Sequence, residues 1–129
     1  MRKVLVLVVV VAGLAAAATA ASAGPAPGAY VTKVTGATPS LLNGTWRLTL
    51  SQKHFTITRN RQPALAGSVA ISAKRITFHD LSGPFRCTGS QAVGTYAWSL
   101  RGKSLTFTAV KDACSGRKAI LTNGFTKSS

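Results

Sequence analysis

Apolar and polar residues alternate strictly along residues 44–51, which read GTWRLTLS. Trp46, Leu48 and Leu50 fall at every second position, and threonine or arginine stands between them. A period of two is typical of a β-strand that buries one face and exposes the other to water. We therefore predict a strand here and take it as the first strand of the folded domain.

Five later segments show the same alternation. They are residues 54–59, 65–72, 75–79, 94–100 and 104–108. A short Arg-Gly-Lys connection makes the last two the clearest hairpin of the chain. The segment 80–91 breaks the pattern and is predicted as a long loop. Residues 117–121 are predicted as a helical turn or a short strand, and residues 125–127 as a candidate strand to close the sheet.

These segments predict an all-β fold. Each strand has one apolar face, so the sheet must curl on itself or stack to bury that face, and closure also removes exposed edges. We expect a small antiparallel up-and-down (meander) barrel of about seven to eight short strands. The side chains expected to point inward are Trp46, Leu48, Leu50, Phe55, Ile57, Val69, Ile71, Ile76, Phe78, Tyr96, Trp98, Leu100, Leu105 and Phe107.

The N-terminus carries the three parts of a secretory signal peptide. A basic head, Met1-Arg2-Lys3, precedes an uncharged apolar run of 15 residues, and a small-x-small site follows at Ala21-Ser22-Ala23. We expect cleavage after Ala23 and a secreted, extracellular protein. An uncleaved N-terminal anchor is the alternative, since the apolar run approaches the length that spans a bilayer.

The remainder of the chain is predicted as one domain with an N-terminal extension. Residues 24–42 contain three prolines and several small residues, and they are predicted as a flexible N-terminal arm. Residues 43–129 are predicted as the barrel domain.

The two cysteines, Cys87 and Cys114, have one possible pairing. Because the protein is predicted to be exported, we expect them to form a disulfide. It would close a loop of about 28 residues and contribute on the order of 3.5 kcal/mol. A metal site completed by His54 and His79 is the rival interpretation, but the spacings match no common ligand pattern. We expect no metal and no cofactor.

The chain is strongly basic, with 16 Lys and Arg against 2 Asp and a formal net charge of +14. Removal of Arg2 and Lys3 with the signal peptide leaves +12. Such a charge attracts anionic polymers or lipids, for which the cell envelope is the expected source. Nucleic acid is not expected, since a secreted protein seldom meets it. The alternative interpretation is that the charge keeps the protein soluble and monomeric.

Catalysis has little support in the sequence. Asp80 and Asp112 are the only acidic side chains, and Asp112 is predicted to cap the turn that follows it. His54 and His79 are predicted on the surface, and no nucleophile motif is present. We therefore expect that the protein is not an enzyme.

Two stretches resemble lipocalins. The Gly44-Thr45-Trp46 sequence resembles the G-x-W motif of lipocalins and the wider calycin barrels. Residues 94–121 are similar to an uncharacterised group of exported bacterial lipocalin-like domains; the residues that carry this similarity are Thr95-Tyr96-Ala97-Trp98-Ser99-Leu100, Leu105-Thr106, Asp112, Cys114 and Arg117. The resemblance covers about residues 41–127 of the chain.

The resemblance implies a calycin-type barrel in which a basic residue near the C-terminus packs on the G-x-W tryptophan. Arg117 is the candidate for that role, with Trp46 as its partner. In lipocalins the ligand mouth is rimmed by loops that correspond here to the short turns at residues 52–53, 73–74 and 102–103. The long loops that carry the two cysteines then share the opposite end, which favours their disulfide.

We expect a non-catalytic secreted binding module that holds a small apolar ligand. The candidate ligand-binding residues are Trp46, Tyr96, Trp98, Phe107 and Arg117. Because aromatic side chains compete for the interior of a small barrel, we expect a packed core with at most a shallow cavity. Two alternatives remain open: a secreted protease inhibitor that acts through its N-terminal arm, and a cationic envelope-binding protein.

Overall fold

The computed structural model describes residues 24–128, so the predicted signal peptide, residues 1–23, lies outside the described residues. Among the residues described, none belongs to a helix long and apolar enough to cross a membrane.

Eight antiparallel strands form one closed barrel, which confirms the predicted fold class. Each strand pairs with the next along the chain, and the last pairs with the first. The strands are β1 (Gly28–Val34), β2 (Gly44–Leu50), β3 (His54–Arg59), β4 (Gln62–Ile71), β5 (Arg75–Ser82), β6 (Val93–Arg101), β7 (Ser104–Lys111) and β8 (Phe125–Lys127). One helix, α1 (Ser115–Leu121), lies between β7 and β8, and 3₁₀ turns form at Ser40–Leu42 and Gly89–Gln91.

Strand β1 corrects the prediction of a flexible arm for its part of residues 24–42. It pairs with β2 along its whole length, from Gly28 opposite Leu50 to Val34 opposite Gly44, and it also pairs with β8. Its inward residues are Tyr30, Thr32 and Val34, all buried. The G-x-W segment therefore opens the second strand of the barrel and not the first.

The barrel interior is filled by side chains from all of the long strands. Of the fourteen side chains predicted to point inward, eleven are buried, and the other three, Ile71, Trp98 and Leu100, are partly buried against the same core. Aromatic rings pack edge to face inside, as in the contact of Phe78 with Tyr96 at 5.8 Å between ring centres. At about 1.5–3 kcal/mol for each large apolar side chain buried, this core is the main source of stability.

The two ends of the barrel differ. At one end β2–β3, β4–β5 and β6–β7 are joined by turns of two or three residues, and we call this the short-turn end. The loops 83–92 and 112–124 lie together at the opposite end, which we call the capped end. There α1 places Ile120 and Leu121 against the core, with 2% and 0% exposure. Residues 117–121, which allowed a helix or a strand in the sequence, are thus helical.

The β3–β4 hairpin has an unusual two-residue turn. Both central residues, Asn60 (φ 47°) and Arg61 (φ 69°), adopt left-handed backbone conformations. Such a turn matches the twist of the paired strands, but its central positions favour glycine, asparagine or aspartate. An arginine in this conformation is therefore exceptional. Just beyond the turn, a register shift at Ile57/Thr58 opposite β4 lets Ala64 and Leu65 both be buried.

Candidate functional site

The structure distributes the five candidate ligand-binding residues over three places. Trp46, Tyr96 and Phe107 lie inside the barrel, with exposures of 0%, 0% and 4%. Arg117 is buried at the capped end on α1. Trp98 is half-buried near the short-turn end, where its Nε1 lies 3.4 Å from the carbonyl of Ser72. These residues therefore do not line one shared cavity.

The interior aromatic residues are engaged with other protein groups. Trp46 donates from Nε1 to the carbonyl of Leu42 at 2.8 Å and packs edge to face on Phe85. Phe107 contacts both Tyr96 and Phe125 edge to face. Such contacts give these side chains a packing role in the barrel.

Arg117 forms a bidentate ion pair with Asp112. Its Nε donates to Asp112 Oδ2 at 2.9 Å, and its Nη2 donates to Oδ1 at 2.6 Å. The side chains are 1% and 0% exposed. Two parallel charge-assisted hydrogen bonds of this kind fix both groups in orientation as well as in distance.

Asp80 completes the cluster from the end of β5. Its Oδ1 lies 2.9 Å from Arg117 Nη1, an ion-pair contact whose angles do not meet those of an aligned hydrogen bond. Its Oδ2 accepts a hydrogen bond from the amide of Cys87 at 2.9 Å. We refer to Asp80, Asp112 and Arg117 as the ion cluster.

Backbone groups and one tyrosine satisfy the remaining positions of the ion cluster. Arg117 also donates to the carbonyls of Ala92 and Gln91, at 3.0 and 2.9 Å. The amide of Cys114 donates to Asp112 Oδ1 at 2.9 Å, as the predicted turn cap requires, and the Tyr96 hydroxyl donates to Oδ2 of the same carboxylate. These donors offset the second negative charge, since the cluster holds two carboxylates and one guanidinium.

The predicted disulfide is present beside the ion cluster. Cys87 and Cys114 are joined with their Cα atoms 6.2 Å apart. Their backbone amides donate to Asp80 and Asp112, so the bridge joins the two loops that carry these donors. Asp80 and the two sulfur atoms lie within 4.8 Å of one another. Because the sulfurs are bonded to each other, they are not thiolate ligands for a metal.

The surroundings of the ion cluster shift the pKa values of Asp112, Arg117 and the neighbouring Tyr96. Burial alone would raise the pKa of Asp112, but hydrogen bonds from Arg117, Tyr96 and the Cys114 amide outweigh it and hold that pKa below its usual value. Burial opposes the charge of Arg117, yet Asp112 and Asp80 raise the pKa of its guanidinium. Burial and the neighbouring Asp112 carboxylate raise the pKa of the Tyr96 hydroxyl well above its usual value.

A cluster with these properties serves to hold structure. None of its three side chains is more than 1% exposed, so solvent and substrate do not reach them. No sequence motif predicts this cluster. The only indication in the sequence is the count of acidic residues. Because the chain has two of them, any buried Lys or Arg that needs an ion-pair partner must pair with Asp80 or Asp112.

The ion cluster determines the electrostatics of the rest of the molecule. Both side-chain carboxylates of the protein lie inside it. The side chains on the described surface are therefore all cationic or neutral. Thirteen further basic residues lie in residues 24–128; eleven are exposed and two, Arg59 and Lys127, are half-buried. We call them the basic surface: Lys33, Arg47, Lys53, Arg59, Arg61, Lys74, Arg75, Arg86, Arg101, Lys103, Lys111, Lys118 and Lys127.

Several surface depressions lie on the outer wall of the barrel. One of about 390 Å³ crosses β1, β2 and the β3–β4 hairpin. We call it the arginine groove; it is lined by Val31, Thr45, Arg47, Thr58, Asn60 and Arg61. A more apolar depression of about 300 Å³ lies next to it between β3, β4 and the end of β5. The interior aromatic candidates line neither.

Comparison of the chain with protein-family models, with curated proteins and with solved structures gave no match.

Proposed function

We propose that this protein is an exported, non-catalytic binding module that attaches to anionic polymers through its basic surface. One observation carries the proposal: the only two acidic side chains are buried around Arg117, at 0% exposure. The positive charge of the surface is therefore not neutralised by neighbouring carboxylates. The N-terminal sequence pattern and the disulfide support export.

The physical basis is counterion release. A polyanion that contacts several Lys and Arg side chains frees its condensed cations, so the affinity depends steeply on salt concentration. Thirteen cations spread over a small barrel offer such contacts from many directions. The polymers we propose are anionic glycopolymers of a cell envelope, or the anionic headgroups of its lipids.

The test is retention of the mature protein on immobilised heparin, with neutral dextran as the control matrix. We expect binding to heparin but not to dextran, and a loss of affinity of about tenfold or more between 50 and 200 mM salt. Equal retention on both matrices, or retention on heparin that salt does not change, would contradict the proposal.

Binding of a small apolar ligand at the short-turn end is the second candidate. The observation that favours it is the partial exposure of Ile71, Trp98 and Leu100 there, where they pack against the core. A lipocalin-like function of this kind predicts saturable binding of a fluorescent apolar probe, weakened by Trp98→Ala in a protein whose circular dichroism spectrum is unchanged. Without saturable probe binding this candidate fails.

The fold leaves little free chain for a protease inhibitor that acts through an N-terminal arm. It depends on a free arm over residues 24–42, and residues 28–34 of that segment are β1.

A further inference from the structure

We propose that the arginine groove is a specific site for a tetrahedral oxyanion, a sulfate or phosphate group carried on an anionic polymer. This inference rests on the proposed function and names the part of the basic surface that recognises the polymer. Arg47 and Arg61 differ from the other residues of the basic surface because the fold places both in one groove.

The strand register brings the groove residues together. Val31 of β1, Arg47 of β2 and Thr58 of β3 lie opposite one another in one row across three strands. Arg61 projects from the β3–β4 turn beside them, and both arginines line the same groove of about 390 Å³. That volume falls in the lower part of the range of small-molecule sites, about 300–1,000 Å³.

Asn60, the other central residue of the turn that carries Arg61, attaches this turn to β2 through two hydrogen bonds. The amide of Asn60 donates to the carbonyl of Thr45 at 2.8 Å, and the amide of Thr45 donates to Asn60 Oδ1 at 2.9 Å. Gly44 makes room for this attachment, since a Cβ at that position would lie 2.8 Å from Asn60 Oδ1. The tip of the hairpin, and with it the backbone of Arg61, is therefore held against the strand that carries Arg47.

Arg61 occupies its position at a conformational cost. Its φ of 69° is in the left-handed region, where the position favours glycine and an arginine is strained. Strained positions of this kind cluster at ligand-binding sites. The preceding arginine differs: Arg59 donates Nε to the carbonyl of Asn43 at 2.8 Å and so has a structural partner.

The chemistry of the groove suits an oxyanion. Arg47 and Arg61 are exposed, and the two acidic side chains of the protein are buried at the ion cluster. A planar guanidinium presents paired N–H donors that match the oxygen atoms of sulfate and phosphate. The hydroxyls of Thr45 and Thr58 add donors along the same groove. An open groove also lets a polymer chain continue past the site in both directions.

The main test compares two variants with equal loss of charge. Arg47→Gln/Arg61→Gln removes both guanidiniums from the groove, and Arg101→Gln/Lys103→Gln removes two exposed cations at the short-turn end. Affinities for a sulfated heparin tetrasaccharide and for a polyphosphate of equal charge are measured by titration calorimetry at 50 mM salt. We expect a loss of about tenfold or more for the groove variant and of about threefold or less for the control.

The outcomes separate the two proposals. Equal losses in both variants would overturn the groove and leave the basic surface as the binding element. Absence of wild-type binding to either polyanion would overturn both. A large groove effect with only the sulfated or only the phosphorylated polymer identifies which group the site takes.

A single substitution excludes a folding defect as the cause. Arg61→Gly relieves the strained turn, so we expect Tm to rise by about 4 °C while the affinity falls about fivefold or more. A variant that melts higher and binds as tightly as the wild type would overturn the proposal.

Discussion

Arg117 is the residue on which the capped end of the barrel depends. Its guanidinium has two carboxylates and two backbone carbonyls as acceptors, drawn from three separate segments of the chain. Buried ion pairs add little to stability compared with well-packed apolar groups, but removal of one partner typically costs about 3–5 kcal/mol. The ion cluster therefore makes the positions of both long loops interdependent.

Gly94 provides a residue-scale prediction, because it is the point where β6 passes under the ion cluster. A Cβ at this position would lie 2.5 Å from Asp112 Cγ and 2.7 Å from Arg117 Nη2. We expect Gly94→Ala to lower the free energy of unfolding by about 3 kcal/mol, since the added methyl group would have to displace a buried, hydrogen-bonded ion pair. Urea denaturation followed by tryptophan fluorescence measures this change.

The matched control is Gly116→Ala on α1. A Cβ there would meet only Leu42 Cδ2 at 3.9 Å, an ordinary contact, and alanine favours the helix. We expect this variant to be as stable as the wild type or more so. A Gly94→Ala protein with unchanged stability would show that the ion cluster is not closely packed against β6.

At the scale of elements, strands β2 to β7 were predictable because each alternates apolar and polar residues with a period of two. Strand β1 was not, because its central inward residue is the polar Thr32. The Thr32 hydroxyl accepts a hydrogen bond from Asn123 at 2.8 Å, and that partner lies 91 residues away. A contact at such a distance in sequence leaves no local signal.

In the ion cluster, too, contacts between residues far apart in sequence could not be predicted. Asp112 was predictable as a turn cap, because the amide it binds is only two residues away. Its pairing with Arg117, and the approach of Asp80 from the end of β5, depend on the closure of the barrel. The arginine groove likewise requires the register of β1, β2 and β3, although each arginine alone looks like an ordinary surface residue.

At the scale of the whole molecule, burial of both carboxylates separates two roles of charge. Both acidic side chains lie inside the ion cluster, and thirteen basic residues lie exposed or half-buried on the outside. This division has a consequence for acid stability. In most proteins many carboxylates contribute to acid unfolding, whereas this chain has only two acidic side chains, and both lie in the ion cluster.

Asp112 gives the sign of the expected pH dependence. Its pKa in the folded protein lies below the usual value, so below about pH 4 the unfolded chain takes up a proton that the folded protein does not. The stabilisation is therefore complete above the unfolded pKa and is lost as the pH falls through the folded one. We expect the free energy of unfolding to be nearly constant from about pH 5 to 7 and to decrease below about pH 4.

Asp112→Asn tests the origin of this decrease. The variant keeps the shape of the side chain and removes its titration, so we expect it to be about 3 kcal/mol less stable at pH 7 but to lose much less stability than the wild type below pH 4. Urea denaturation from pH 2.5 to 7 at constant ionic strength measures both proteins. If the two curves run parallel, the loss of stability in acid does not originate at the Asp112 carboxylate.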